Sequence, residues 1–233
     1  MNEQEFIDQL NKQGINLTVK QLEQFKKYYV TLVEWNQKMN LTAITDQEDV
    51  YLKHFYDSLT IAFDFKFKDQ KIIDVGAGAG FPSIPLKIVY PDLKVTIVDS
   101  LTKRITFLNH LFKELELTDC KAISARAEEY AKTNRQKADL VLARAVARLD
   151  ILDELCLPLV KVGGYFLALK GLKAQEELTK ASSGIKILGG EVERVIDFRL
   201  TNDDHRSNII IKKVKATPAK YPRMFGKIKK QPL

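Results

Sequence analysis

Between Ile72 and Ile88 the chain reads IIDVGAGAGFPSIPLKI, placing Gly76, Gly78 and Gly80 at alternate positions between an apolar run and a segment of helical pattern. Glycine lacks a Cβ and tolerates left-handed backbone, so such a run lets the main chain pass close to a ligand at the start of a helix. The spacing is not that of a dinucleotide fingerprint, because Phe81 stands where the third glycine of GxGxxG would fall. No Gly-Lys-Ser/Thr follows, which excludes a triphosphate-binding loop. Asp74 lies two residues before Gly76, where a purely structural parallel strand is apolar. A carboxylate there calls for a partner, and the ammonium group of a bound ligand would serve. Asp99 closes the next strand, where an acid commonly meets ribose hydroxyls. Asp99 or Ser100 also suits an N-cap, and the two roles are compatible. Ala127 and Glu128, after the third strand, are placed to flank an adenine, and Arg144 and Arg148 fall at the rim of the same edge. An adenosyl ligand with an amino-acid portion fits these groups, namely S-adenosylmethionine.

The elements that hold these residues follow from periodicity. Residues 1–70 read as helices: Leu22, Phe25, Tyr29, Leu32, Val33 and Met39 recur mostly at three- and four-residue spacing after Thr18, and EDVYLKHFYDSLTIAFDF gives a further amphipathic helix. From Lys71 strands and helices alternate, with strands expected at KIIDVGA, KVTIVD, CKAISA, ADLVLARA, GYFLALK, EVERVIDFRL and SNIIIKKVK. Short Val/Ile/Leu strands separated by helices predict an α/β fold with a mostly parallel sheet, which binds ligands beyond the carboxyl ends of its strands. Pro82 and Pro85 fit the first helical turn, where backbone N–H groups lack intrahelical acceptors. The expected organisation is a helical segment over 1–70, a ligand-binding domain over 71–215 and a basic tail over 216–233.

Charge sharpens the reading. From Arg206 to Leu233 there are nine basic and no acidic residues, more than the whole net charge of +7, so the rest is slightly acidic. Such an arm is one way to hold a polyanion such as RNA, or a solvated end that aids solubility. No stretch has the roughly 18 uninterrupted apolar residues of a membrane span, and MNEQEFIDQL is too polar for a secretory signal, so a cytoplasmic protein is expected. Cys120 and Cys156 lie in apolar contexts without metal-site spacing, so no metal is expected.

Together the segments EWNQKMNLTAI, KHFYDSL, IIDVGAGAGFPSIPLKI, VDSLTKRITFLNHL, ARAEEY, LARAVARL, ALKG and KYPR resemble, in order and spacing, the RsmG (GidB) family of small-subunit ribosomal RNA guanine-N7 methyltransferases. The resemblance implies a class I methyltransferase fold, Rossmann-like with a seven-stranded sheet, behind an N-terminal helical segment. It also implies S-adenosylmethionine as cofactor and N7 of a guanine as acceptor, at position 527 in the usual 16S rRNA numbering. Cofactor contacts would fall on Gly76, Phe81, Ala127, Glu128 and Arg144, with Asp99 and Ser100 near the ribose. The small ribosomal subunit or its assembly intermediate would be the partner, and the chain would act as a monomer. Ser83 stands where the family commonly has glycine, and RMFGKIKKQPL lacks the Gly-x-Pro expected after KYPR.

Guanine N7 carries a lone pair and no proton, so no general base is needed, and no triad or dyad is visible. Positioning is the expected source of rate, with Arg144 and Lys170 as positioning residues. Expected RNA contacts are Lys103, Arg104, Arg148, Lys220, Arg223, Lys227, Lys229 and Lys230; positive charge at a helix start, as at Lys103 and Arg104, opposes the dipole and hints at phosphate. Lys170 suits a phosphate contact or a snorkelling surface lysine. His54, with Asp57 one turn on, is expected to tie the helical segment to the core. Asn40 and Thr42 suit an Asx turn or the ligand, and Trp35 suits the core.

Overall fold

A computed structural model describes all 233 residues. Helices α1 (Glu3–Lys12) and α2 (Val19–Met39) each begin with a capping box, from Asn2 with Glu5 and from Thr18 with Gln21. Asn40 closes α2 in the left-handed region, and Asn36 Oδ1 accepts from the N–H groups of Leu41 and Thr42, turning the chain. The stretch expected as one amphipathic helix is a continuous helical run of changing pitch: α3 (Gln47–Val50), a π-helical turn (Tyr51–Tyr56), α4 (Asp57–Leu59) and a 3₁₀ turn (Thr60–Phe63). Widening at Tyr51–Tyr56 breaks the 3.6-residue period, and π-turns of this kind recur at functional sites.

The remainder alternates as β1 (Lys71–Val75), α5 (Ser83–Val89), β2 (Lys94–Asp99), α6 (Thr102–Glu114), β3 (Cys120–Ser124), α7 (Ala127–Asn134), β4 (Ala138–Arg144), α8 (Leu149–Cys156), β5 (Val160–Lys170), α9 (Ala174–Ile187), β6 (Gly190–Arg199), β7 (His205–Lys213) and α10 (Phe225–Lys230). The seven strands lie in the order β3-β2-β1-β4-β5-β7-β6. All are parallel except β7, which runs antiparallel to both β5 and β6. Strand order reverses between β1 and β4, so the crevice of the sheet opens at their carboxyl ends.

Two apolar layers sandwich the sheet. One gathers α1, α2, α5 and α6 through Phe6, Phe25, Tyr28, Phe55, Ile84, Phe107 and Leu108; the other gathers α8, α9 and the tail through Leu152, Leu155, Ile185, Tyr221 and Ile228. The basic tail is therefore not a free arm. Tyr221 and Ile228 are buried in the second layer, and Arg135 donates to the carbonyls of Thr217, Pro218 and Tyr221. Its alternation of apolar and basic residues, which reads in sequence as an arm for a polyanion or a solvated end, is the amphipathic pattern of a docked strap. No helix is long and apolar enough to cross a membrane.

Candidate active site

The glycine loop after β1 forms the floor of a cleft of about 410 Å³ at the strands' carboxyl ends. Its three glycines serve different ends. A Cβ on Gly76 would lie 2.8 Å from a methyl of Val146, in the loop after β4, and one on Gly80 would lie 2.7 Å from the Tyr28 hydroxyl and 2.8 Å from Ile84. Gly78, at φ +59°, has nothing within 4 Å of that position. Two glycines thus let protein pack against the loop, and the middle one leaves room for a ligand.

Asp99, buried at the end of β2, fastens this floor. Its Oδ2 accepts from the Gly78 N–H at 3.3 Å and from Arg104 at 3.0 Å, while Oδ1 accepts from the Leu101 N–H at 3.0 Å. The N-cap of α6 is Leu101 and no side chain caps it, so the N-cap expectation for Asp99 or Ser100 is corrected, whereas Asp99 does lie at the cleft. Ser100, Ala127, Glu128 and Arg144 line the same cleft. Asp74 does not. It is fully buried beneath the loop, where Oδ2 accepts from the Ser83 N–H at 3.1 Å, and Oδ1 and Ser83 Oγ have no partner. The expected ligand ammonium contact is therefore corrected: period-two alternation points Asp74 under α5 rather than into the cleft. Burial pushes its carboxyl up to about 7, against the pull of the Ser83 hydrogen bond. Ser83, where glycine was the family expectation, supplies the first N–H of α5 to this carboxylate.

On the opposite wall the N-terminal helices grip the loop. Tyr28 Oη donates to Ala79 O at 2.6 Å and its ring stacks on Phe81 at 5.3 Å. His54 also stacks on Phe81, at 4.4 Å, and the Arg144 guanidinium lies 5.2 Å from the same ring. Arg144 donates to Asp57 Oδ2 at 3.0 Å and Lys53 O at 3.1 Å, and Arg206 reaches both oxygens of Asp57 at 3.2 Å. His54 and Asp57 thus meet through Arg144 rather than pairing with each other. Burial, then the neighbouring Arg144, lowers His54 from 6.5 to about 3, so its imidazole is neutral at physiological pH. Thr42 Oγ1 lies 2.9 Å from His54 Nε2 and borders the cleft with Leu41.

Several expected RNA contacts also have intramolecular partners, although Lys103 and Arg148 remain exposed. Lys103 donates to Met39 O at 2.7 Å, Arg104 pairs with Asp99, and Arg148 pairs with Asp150 at 2.9 Å. Arg223 closes on the fully buried Glu154 at 2.6 Å, and Lys170 pairs with Glu177 at 2.6 Å while donating to Ala147 O at 2.8 Å. A buried carboxylate captures the nearest guanidinium or ammonium because an unpaired charge there is costly. Lys220, Lys227, Lys229 and Lys230 are exposed. Trp35 is partly buried against Phe107 and His110.

Arg126, Val146 and Phe225 also line the cleft and were not singled out by sequence. Phe225 arrives from the tail with Arg126 5.7 Å from its ring centre; the only signal was an aromatic among lysines. A second cavity, of about 660 Å³, shares His54, Arg144 and Ala145 with the first. It is bordered by Lys53, Asp57, Lys170, Leu172, Lys173, Glu177, Arg206 and Asn208.

A seven-stranded sheet with one antiparallel strand, a glycine loop after β1 and an acid closing β2 define a class I S-adenosylmethionine-dependent methyltransferase fold. Among solved structures, P. horikoshii TYW2 in complex with MeSAdo aligns with a TM-score of 0.55 at 17% identity, covering 68% of this chain and 61% of that one. A 16S rRNA (adenine(1408)-N(1))-methyltransferase variant from Catenulisporales acidiphilia aligns with a TM-score of 0.53 at 17% identity, covering 65% and 88%. These likenesses establish the fold. Residues 21–206 match the family described as GidB, rRNA small subunit methyltransferase G. The Ribosomal RNA small subunit methyltransferase G of Bacillus cytotoxicus is 56% identical over 100% of this chain and 99% of its own, and that of Oceanobacillus iheyensis is 56% identical over all of both. The chain belongs to the rRNA small subunit methyltransferase G family.

Proposed function

We propose that this enzyme methylates N7 of a guanine in the RNA of the bacterial small ribosomal subunit, at the position numbered 527 in 16S rRNA, using S-adenosylmethionine and no general base. The observation that carries the reading is the shared wall of two cavities: His54, Arg144 and Ala145 separate the glycine-floored cleft from a roomier one bordered by Lys53, Lys173 and Arg206. The names of its full-length relatives supply the class of acceptor.

The first cleft fits the cofactor. Its volume lies within the range of small-molecule sites, and the open side of Gly78 admits a ligand against the backbone. Asp99 and Ser100 would meet the ribose, Ala127, Glu128 and Phe225 the adenine, and Gly76 with its neighbours the amino-acid portion. When bound, the cofactor supplies an electrophilic sulfonium methyl that passes to N7 as the sulfur keeps the bonding electrons. The protein has no proton to remove. Neutral His54, stacked flat on Phe81, matches that requirement and acts as packing rather than base. The chain's own task is to hold two reactants in line and dry, an effect worth roughly 7 kcal/mol or more. Arg144, fixed by Asp57 and Phe81, is the group that holds the wall between them. Lys220, Lys227, Lys229 and Lys230 are free to meet phosphate.

Labelled methyl from S-adenosylmethionine should appear at one guanine N7 when the enzyme acts on small subunits from cells lacking the modification. Label on any other base, or cofactor binding without transfer to any assembly state, would overturn the proposal.

A further inference from the structure

The second cavity contains three carboxylates, and their partners differ. Both oxygens of Asp57 are taken by Arg144 and Arg206. Asp204 is 43% exposed and turned to Arg206 at 3.5 Å. Glu177, in the first turn of α9, is only 17% exposed, and its Oε2 accepts from Lys170 Nζ at 2.6 Å and from the Leu149 N–H at 2.8 Å. Its Oε1 has no protein partner. One oxygen is thus pinned from two directions, and the other is held in a fixed place at the border of the cavity.

Taking the N7 reading as its basis, we infer that Glu177 is the residue that reads guanine. A purine presenting N7 to the wall shared with the cofactor cleft carries its Watson–Crick edge to one side, with the N2 amino group on the far side of the ring from N7, in the body of the second cavity. An enzyme acting on an unstacked base reads that edge by hydrogen bonds. Guanine alone among the four bases carries two adjacent donors there, N1–H and the N2 amino group. Adenine and cytosine each pair a donor with an acceptor, and uracil sets one donor between two acceptors. A carboxylate oxygen is an acceptor only. It therefore suits guanine and opposes an acceptor placed in the same spot. Lys170, which in sequence suits a phosphate contact or a snorkelling surface lysine, becomes the group that orients this acceptor.

Inosine separates recognition from reaction, because it keeps N7 and N1–H and lacks the N2 amino group. Transfer would be measured on reconstituted small-subunit RNA carrying guanine or inosine at the modified position, with the unaltered enzyme and with Glu177→Gln. The unaltered enzyme should methylate inosine about ten-fold or more slowly in kcat/KM, the scale of a lost charge-assisted hydrogen bond. Glu177→Gln should slow guanine and bring the guanine-to-inosine ratio close to one, with cofactor affinity unchanged. A variant that slows both substrates equally would give Glu177 only the task of holding Lys170. Equal rates on guanine and inosine with the unaltered enzyme would overturn the inference without any variant. No transfer to guanine N7 at all would instead remove the reading on which it rests, a distinct result.

Discussion

The two walls of the cofactor cleft are built on different physical terms. The N-terminal wall is an interlocked set: Tyr28, His54 and Arg144 converge on the single ring of Phe81, and Arg144 continues through Asp57 to Arg206. The C-terminal wall is a strap, tied by Arg135 to backbone carbonyls, by Arg223 to Glu154 and by the Ile228 side chain, with Phe225 laid at the cleft beside exposed lysines. In the first, every group supports the loop and another member as well. In the second, the ties lie apart from the aromatic that touches the cleft. The N-terminal wall should therefore couple stability to activity, whereas the strap should allow the two to be separated.

The largest expected effect is at the hub. Arg144→Ala removes one partner of the buried Asp57 and the cation over Phe81. Losing a buried partner costs about 3 kcal/mol, the low end of its range because Arg206 stays on Asp57. Activity should fall roughly 100-fold, as misplacement of this order produces. Denaturant melts and initial rates, measured together, check the coupling. Rate loss with unchanged stability would break the comparison.

Phe225→Ala should have a smaller and opposite signature. Loss of one half-buried aromatic contact should weaken cofactor binding about ten-fold, while the midpoint of thermal unfolding barely moves, because the ties at Arg223 and Ile228 persist. Calorimetric titration beside a melting curve tests this. A large drop in the midpoint would show the strap to be as interlocked as the opposite wall.

The narrowest effect, on stability alone, is expected from pH. His54 is held near 3 in the folded protein, below its ordinary 6.5, so between those values the unfolded chain binds a proton that the folded one refuses. This contribution to stability is complete above about 6.5 and is lost as pH falls toward about 3. Glutamine at His54 carries no such proton, so the melting temperature of His54→Gln should fall less between pH 7 and pH 4.5 than that of the unaltered chain. Parallel curves would contradict the burial of His54 against Arg144.

Much of this architecture was legible because it is periodic or punctuated. The strands were visible as Val/Ile/Leu runs, Asp99 as an acid closing one of them, and the glycine loop as an alternation no helix or strand would choose. The unexpected parts are matters of partnership. Nothing in a linear pattern tells Arg223 that Glu154 lies buried beneath it, or that Lys170 meets Glu177, because the first pair is joined by the docking of the tail on α8 and the second by the turn from β5 into α9. Asp74 was misplaced for a related reason. Its chemistry suggested a ligand, and the pleat of β1 sends it to Ser83. Phe225 was hidden because one aromatic among lysines does not announce which surface it meets.

The cleft draws its border from Leu41 near one end of the chain to Phe225 near the other. Such a site has no local precursor. Contacts separated this far in sequence form late in folding, after the loop entropy between them has been overcome. A cofactor bound there would act as a latch on completed folding: it would bind most tightly when both ends have arrived, and at 100 times its Kd it would add about 2.7 kcal/mol to the finished state. Resistance to proteolysis with and without S-adenosylmethionine becomes a gauge of how much of the population is fully assembled, and a kinetically trapped chain would betray itself by failing to gain protection.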